Sequence, residues 1–165
     1  MDTISCSTMS TDALSGKKRF EYWADVVCKA LNPVQIDSRV RDNFNASIEA
    51  QKLGDATYVC SQGESPILAR RTSQHTSQRG KHLFHLMMRR SGHGLIRQAK
   101  NESTCCSGDI VLIDNRQDVV SKMDNTNITI LSFPAELIHT WDPHPEEHVA
   151  QVLHGNKGWG AVLST

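Results

Sequence analysis

Eight histidines, five cysteines and two arginine doublets are the side chains of this 165-residue sequence whose chemistry has to be weighed first. His82 and His85 lie three apart on a segment that reads as a strand, where that separation sends side chains to opposite faces. His139, His144 and His148 fall across the proline-rich bend HTWDPHPEEH, within reach of Glu146 or Glu147. No cysteine at zinc spacing accompanies them, so solvated loop histidines are the simpler reading. The sequence has no G-x-S-x-G elbow, no G-x-G-x-x-G turn and no Walker lysine. Cys105 and Cys106 stand beside Ser107-Gly108, but a cysteine without a base is more often a small buried apolar residue. These observations predict no catalytic residue, no metal, no cofactor and no enzymatic activity.

The doublets Arg70-Arg71 and Arg89-Arg90 carry a different message. Both fall on segments with strand character, and alternation turns one member of each doublet inward if the strands are paired. An inward guanidinium is costly unless it meets an anion or a carboxylate. A binding cavity and a structural salt bridge both satisfy that condition.

The elements that would position these side chains can be read from periodicity. Residues 1–16 are Ser/Thr-rich and aperiodic, which predicts a disordered lead-in. In GKKRFEYWADVVCKALNP, Phe20, Trp23, Val26, Val27, Ala30 and Leu31 recur at steps of three and four, an amphipathic helix ended by Asn32-Pro33. That helix either caps a sheet edge or also lends Tyr22 or Trp23 to a pocket. Between residues 34 and 133 the period becomes two. The predicted strands are Phe44–Leu53, Thr57–Ser61, Pro66–Arg71, His82–Arg90, Leu95–Lys100, Ser103–Cys105, Ile110–Asp114, Val119–Met123 and Ile128–Phe133. Turn signals such as Leu53-Gly54-Asp55, Gln62-Gly63 and Ser91-Gly92 separate them. Many short strands without intervening helical periods predict an antiparallel sandwich or barrel. FPAELIHTW then places a proline at a helix start, with Leu137, Ile138 and Trp141 on one face. The tail EEHVAQVLHGNKGWGAVLST reads as a short strand and a turn, with a new helix beginning near Lys157–Gly158.

Composition narrows the partners. Eighteen basic and eighteen acidic residues cancel, so the charge supplies no phosphate-neutralising surface. An odd cysteine count without C-x-x-C spacing suits a reducing, cytoplasmic setting. No apolar run has the length of a signal sequence core or a membrane span, so no membrane partner is expected. The sequons at Asn45, Asn101 and Asn127 read as chance occurrences in such a chain.

The stretch SGHGLIRQAKNESTCCSGDIVLIDN, residues 91–115, resembles the cupin-like N-terminal domain of AraC/XylS-family transcription regulators. The family pattern is strand, G-x-G turn, strand, short strand, then P-G-D and an apolar strand. Here the turn is Gly92-His93-Gly94, and Ser107-Gly108-Asp109 stands at P-G-D with serine for proline. RFEYWADVVCKALNPVQID, FNASIEAQKLGDATYVCSQ, ILARRT, ITILSFPAELI and GNKGWGAVL extend the likeness over residues 18–165. The resemblance implies a mainly β fold with flanking helices: a cupin-like antiparallel barrel or jelly roll with an N-terminal helix and C-terminal helices. It implies an effector-binding domain over residues 17–150 and the start of interface helices at 151–165. It also implies a homodimer, a small-molecule effector, and DNA contact only through a C-terminal helix-turn-helix domain not contained in this sequence.

Cupin enzymes bind metal through H-x-H, a glutamate and a later histidine. Aligned on Gly92, the H-x-H positions fall within Gln78 to Lys81, the glutamate position on His85 and the later histidine on Val111. Such a set does not hold a metal. Within the barrel, alternation puts His85, Met87 and Arg89 on one face and Phe84, Leu86 and Met88 on the other. The mixed face suits a cavity and the apolar face suits packing under a helix; a one-residue bulge would invert the two. His85, Met87 and Arg89, with Arg71 and Trp23, are the expected ligand-binding residues. Two arginines would favour a small organic or aromatic acid. A metal-dependent cupin enzyme acting on a small acid, and a sugar- or lipid-binding β-sandwich, are the competing functions.

Overall fold

Helix α1, Lys18–Ala30, buries Phe20, Trp23, Val26 and Val27 along one stripe, as its three- and four-residue spacing dictates. Pro33, with no N–H to donate, follows its end closely. The stripe closes on Phe44, which is fully buried, with ring centroids 5.3 Å from Phe20 and 5.0 Å from Trp23. Trimming that anchor should loosen helix from sheet. Phe44→Leu is expected to lower stability by about 1–2 kcal/mol, read as an earlier urea midpoint with an unchanged slope.

This computed structural model describes residues 6–76 and 80–163. The strands are β1 (Cys6–Ser10), β2 (Gln35–Asp37), β3 (Ser47–Leu53), β4 (Ala56–Gln62), β5 (Ile67–Arg71), β6 (Leu83–Arg89), β7 (Gly94–Gln98), β8 (Asn101–Cys105), β9 (Ile110–Asp114), β10 (Val119–Met123), β11 (Ile128–Pro134) and β12 (Val152–Leu153). The short helices are α2 (Ser73–Thr76), α3 (Ala135–His139) and α4 (Gly158–Leu163). One sheet runs β1-β3-β4-β11-β6-β9-β12 and the other β2-β5-β10-β7-β8. All the ladders within them are antiparallel.

The expected cupin-like fold with flanking helices is therefore present, as two facing sheets of jelly-roll type and not as a closed barrel. The main core gathers inward residues of both sheets under α1, among them Ile48, Val59, Met87, Ile96, Val111 and Ile130. A smaller cluster lies under α3, where Phe84 packs with Ala135, Val149 and Ile138. Of the apolar face of β6, Phe84 packs under a helix, whereas Leu86 and Met88 are half-buried and belong to neither cluster.

Turn chemistry fixes the registers. Leu53 pairs with Ala56 across Gly54-Asp55, and Gly54 takes φ 62°, the conformation that a two-residue hairpin demands at its first position. Gly92, at φ 72°, packs so tightly that a Cβ there would lie 2.4 Å from Asn125 Nδ2.

Three elements differ from the sequence reading. Cys6–Ser10, inside the segment read as disordered, pairs residue for residue with β3. Thr11, fully buried, locks it there: its N–H donates to the Ala46 carbonyl at 3.1 Å, and its Oγ1 accepts from Ala46 N–H at 3.1 Å. Backbone pairing orders this stretch where apolar content would not. Gln35–Asp37 is a strand too short to show a period. Of the face expected on α3 only Ile138 packs inward, beside Ala135; Leu137 and Trp141 are exposed, because the helix ends at His139 before their shared face is complete. Among the described residues no helix is long and apolar enough to cross a membrane.

Candidate functional site

Between the sheets, beneath α1, lies a cavity of about 130 Å³. Ladder registers order its walls. On the five-stranded sheet Arg71 lies opposite Val119, Ala69 opposite Ser121, and Ile67 opposite Met123. On the seven-stranded sheet His85 lies opposite Ser132, Met87 opposite Ile130, and Arg89 opposite Ile128, which pairs in turn with Ser61. One end of the cavity therefore carries Arg71 and His85, and the far end carries Met123, Ile128 and Ser61. Trp23 adds the lid from α1.

The lining is overwhelmingly apolar, yet four of its buried polar atoms find no hydrogen-bond partner among the described residues. They are Trp23 Nε1, Ser61 Oγ, His85 Nδ1 and Ser121 Oγ. A buried polar group left unpaired costs stability, on the order of 1–3 kcal/mol, so native proteins keep few of them. Four such atoms line this one cavity.

His85 sits on the Asn32 side chain, Nε2 to Nδ2 at 2.8 Å. With the Asn32 amide donating to a neutral ring, the ring proton rests on Nδ1, the unpartnered atom. Burial, then the Arg71 cation, lower the His85 pKa from its ordinary 6.5 to about 4, with Asp114 opposing. This shift has a signed consequence. Below pH 6.5 the unfolded chain binds a proton that the folded protein refuses until about pH 4. Stability from this group is therefore intact above pH 6.5 and declines as pH falls through that window, by up to about 1.4 kcal/mol per unit. Urea unfolding between pH 7.5 and 4.5 should show this decline, and His85→Gln should flatten it.

Arg71 is 8% exposed while its neighbour Arg70 is exposed, the split that strand alternation requires. Its guanidinium donates to three carbonyls: Asn115 from Nε at 2.9 Å, His75 from Nη2 at 3.2 Å, and Pro33 from Nη1. Among the described residues, two of its five N–H groups have no acceptor. No carboxylate raises its pKa; burial alone lowers it. Asp114, whose charge is felt at His85, turns its oxygens to His82, the Arg116 N–H and Gln117.

Arg89 has a different environment. It is 1% exposed, as its doublet predicts, but its guanidinium lies outside the cavity lining. Nη2 donates to Asp124 Oδ1 and, at 3.1 Å, to Asn125 Oδ1. Asp124 in turn accepts the His93 N–H at 2.8 Å. Of the five residues expected to bind ligand, the structure brings Trp23, Arg71, His85 and Met87 around one cavity and commits Arg89 to knitting two turns together.

The remaining candidates disperse. His82 meets Asp114 at 2.9 Å and His154 meets Asp109 at 3.3 Å. Among the described residues no three His, Cys, Asp or Glu side chains gather as a metal site would require. Gln78 and Arg79, two of the H-x-H positions, lie outside the described residues. Burial pushes the Cys105 thiol up to about 11, so it stays protonated, while Cys106 faces solvent. Ser61, Ser121 and Asn32 were not singled out from sequence. The two serines carried a signal: each occupies the inward, apolar phase of its strand, beside Val59 and between Val119 and Met123.

The sequence profile of the AraC-binding-like domain family matches residues 23–165. Among solved structures, that of the AraC-like transcriptional activator CuxR overlays with a TM-score of 0.83 at 16% identity. The overlay covers 97% of this chain and 58% of the other, so the present chain spans little more than half of that activator's length. A cupin 2 conserved barrel domain protein from Rhodopseudomonas palustris shares 14% identity over 63% of this chain and 73% of its own, with a TM-score of 0.40. That overlap is too loose to carry an argument. No curated protein sequence matches.

Proposed function

We propose, from the premise that this chain belongs to the AraC-binding-like domain family, that it is the effector-binding domain of a bacterial transcription regulator. A small molecule enters the cavity between the sheets and alters DNA binding by a helix-turn-helix domain elsewhere in the full regulator. The setting is the cytoplasm, and the domain works without catalysis or a cofactor. Trp23, Arg71, His85 and Met87 are the proposed ligand contacts.

The observation that carries this reading is Arg71: a buried cation at the end of an apolar cavity with no carboxylate among the described residues to balance it. Trp23 Nε1–H and His85 Nδ1–H add two unpartnered donors to the same cavity. Cation and donors together suit an acceptor-rich anion, so a small organic or aromatic acid is the proposed effector class. The volume suits a compact ligand; a cavity of about 150 Å³ takes up benzene.

Signalling requires that the effector bind one arrangement of the domain better than another, since equal affinity shifts nothing. The route out of the cavity is short. Met87 pairs with Val111 on β9, and Val111 pairs with Val152 on β12, which leads to α4. There Trp159, Val162 and Leu163 are 77%, 63% and 56% exposed, an apolar face that suits a second copy of the chain in a homodimer.

A thermal-melt screen against small acids, aromatics, amines and sugars, with a chelator as one condition, tests the proposal. A ligand at one hundred times its Kd stabilises by about 2.7 kcal/mol, a rise of several degrees for a domain of this size. Stabilisation by acids, with no response to chelator, is expected. Loss of stability in chelator without any ligand response would favour a metal-dependent cupin enzyme instead.

A further inference from the structure

The two unpartnered serines stand outside the row of the cavity that holds Arg71. Ser121 lies one inward row away from Arg71, opposite Ala69, and Ser61 is linked by the ladders to the Arg89 row at the cavity's far end. Rows of one face are spaced by two residues, about 7 Å. Both hydroxyls are buried, Ser61 at 3% and Ser121 at 8% exposure. Neither has a hydrogen-bond partner among the described residues. Alanine in either place would fill the same phase of the strand without a stranded hydroxyl. The chemistry of the two ends also differs. Arg71 and Trp23 Nε1 can only donate, and His85 Nδ1 donates when Nε2 accepts from Asn32, which fits a carboxylate. A serine hydroxyl both donates and accepts, which complements another hydroxyl.

We infer that the cavity is specific for a hydroxy acid: its carboxylate lies at the Arg71–His85 end, and a hydroxyl is read by Ser121 and Ser61 farther along. This deepens the effector reading and rests on it. Discrimination works in both directions. An acid with the hydroxyl completes the two serines, whereas an acid without it leaves them buried and unpaired.

Calorimetric titration of the domain with two pairs of probes, benzoate against 4-hydroxybenzoate and butyrate against 4-hydroxybutyrate, tests the inference. In at least one pair the hydroxylated member is expected to bind about tenfold tighter or better, the scale set by one well-made hydrogen bond. Ser121→Ala combined with Ser61→Ala should bring the members of that pair to within about threefold. Melting of the ligand-free variants separates a recognition role from a structural one. Hydroxyls kept for a ligand leave the melting temperature unchanged or higher when removed. A drop of several degrees in the alanine variants would show that the serines hold the fold, and would overturn the inference. Equal affinity within both pairs would overturn it as well while leaving the acid effector standing. If no member of either pair binds, the acid reading falls and the inference falls with it.

Discussion

Replacing Arg71 by methionine is expected to abolish acid binding, lowering affinity at least about a hundredfold. Removing one partner of a desolvated charge pair costs on the order of 2–5 kcal/mol, and a factor of one hundred is about 2.7 kcal/mol. Methionine keeps much of the volume, so the cavity is not enlarged into a new one. The variant also loses three donated hydrogen bonds, to Asn115, Pro33 and His75, and should melt several degrees below the parent. Arg71→Lys retains a positive charge but not the planar fork, and is expected to recover part of the affinity. Calorimetry on the three proteins, with melting as the fold control, checks the pattern. An acid that binds Arg71→Met as tightly as the parent would remove this arginine from the site.

The second large effect concerns Arg89 and runs the other way. Arg89→Ala is expected to destabilise the domain by about 3–5 kcal/mol, through the cavity left behind and the lost guanidinium hydrogen bonds. Its side chain is fully shielded while that of Asp124 is 47% exposed, so the carboxylate can return to water but the packing cannot be recovered. Asn125 also loses the guanidinium at its Oδ1, and the turns around residues 90–94 and 124–127 lose their common anchor. Arg89→Met, which fills the space without charge, should restore a large part of the loss. In the methionine variant, acid affinity is expected to stay within about threefold of the parent, because the guanidinium does not line the cavity. Two buried arginines of similar sequence signature thus separate experimentally: one governs binding, the other folding.

Both arginines announced themselves in the sequence in the same way, as one member of a doublet on a strand. Period-two alternation fixes which side chain turns inward, and it did so correctly for Arg71 and Arg89. It carries no information on what stands opposite. The partners of Arg89 lie 35 and 36 residues further on in a turn, and the carbonyls around Arg71 come from Pro33, His75 and Asn115. Contacts between distant loops have no period to read. The same limit explains β1, whose Ser/Thr composition lacks an apolar phase and whose order comes from backbone pairing with β3.

Of the nine strands foreseen between residues 44 and 133, those with one face on the core, such as β6, were legible from alternation, whereas β9 and β11, buried in consecutive positions, were legible as short apolar runs between turn signals. Helix α1 was legible for the matching reason, a continuous stripe ended by Pro33. The cavity itself was legible only in part. His85, Met87 and Trp23 follow from parity and helix phase. Ser61 and Ser121 break the apolar phase of their strands, and that break was the available sign. Recognising them as site residues needed the additional knowledge that no neighbour satisfies their hydroxyls.

Ligand is expected to bind beneath α1, between the sheets. The chain's three tryptophans make that directly measurable, since Trp23 lines the cavity while Trp141 and Trp159 are 88% and 77% exposed. With Trp141→Phe and Trp159→Phe combined, the fluorescence of Trp23 alone reports on the cavity. Titration with an acid that stabilises the domain should shift or quench that emission along a saturable curve whose Kd matches calorimetry, and Arg71→Met should abolish the change. Binding detected by calorimetry with Trp23 emission unmoved would place the ligand elsewhere and contradict the account.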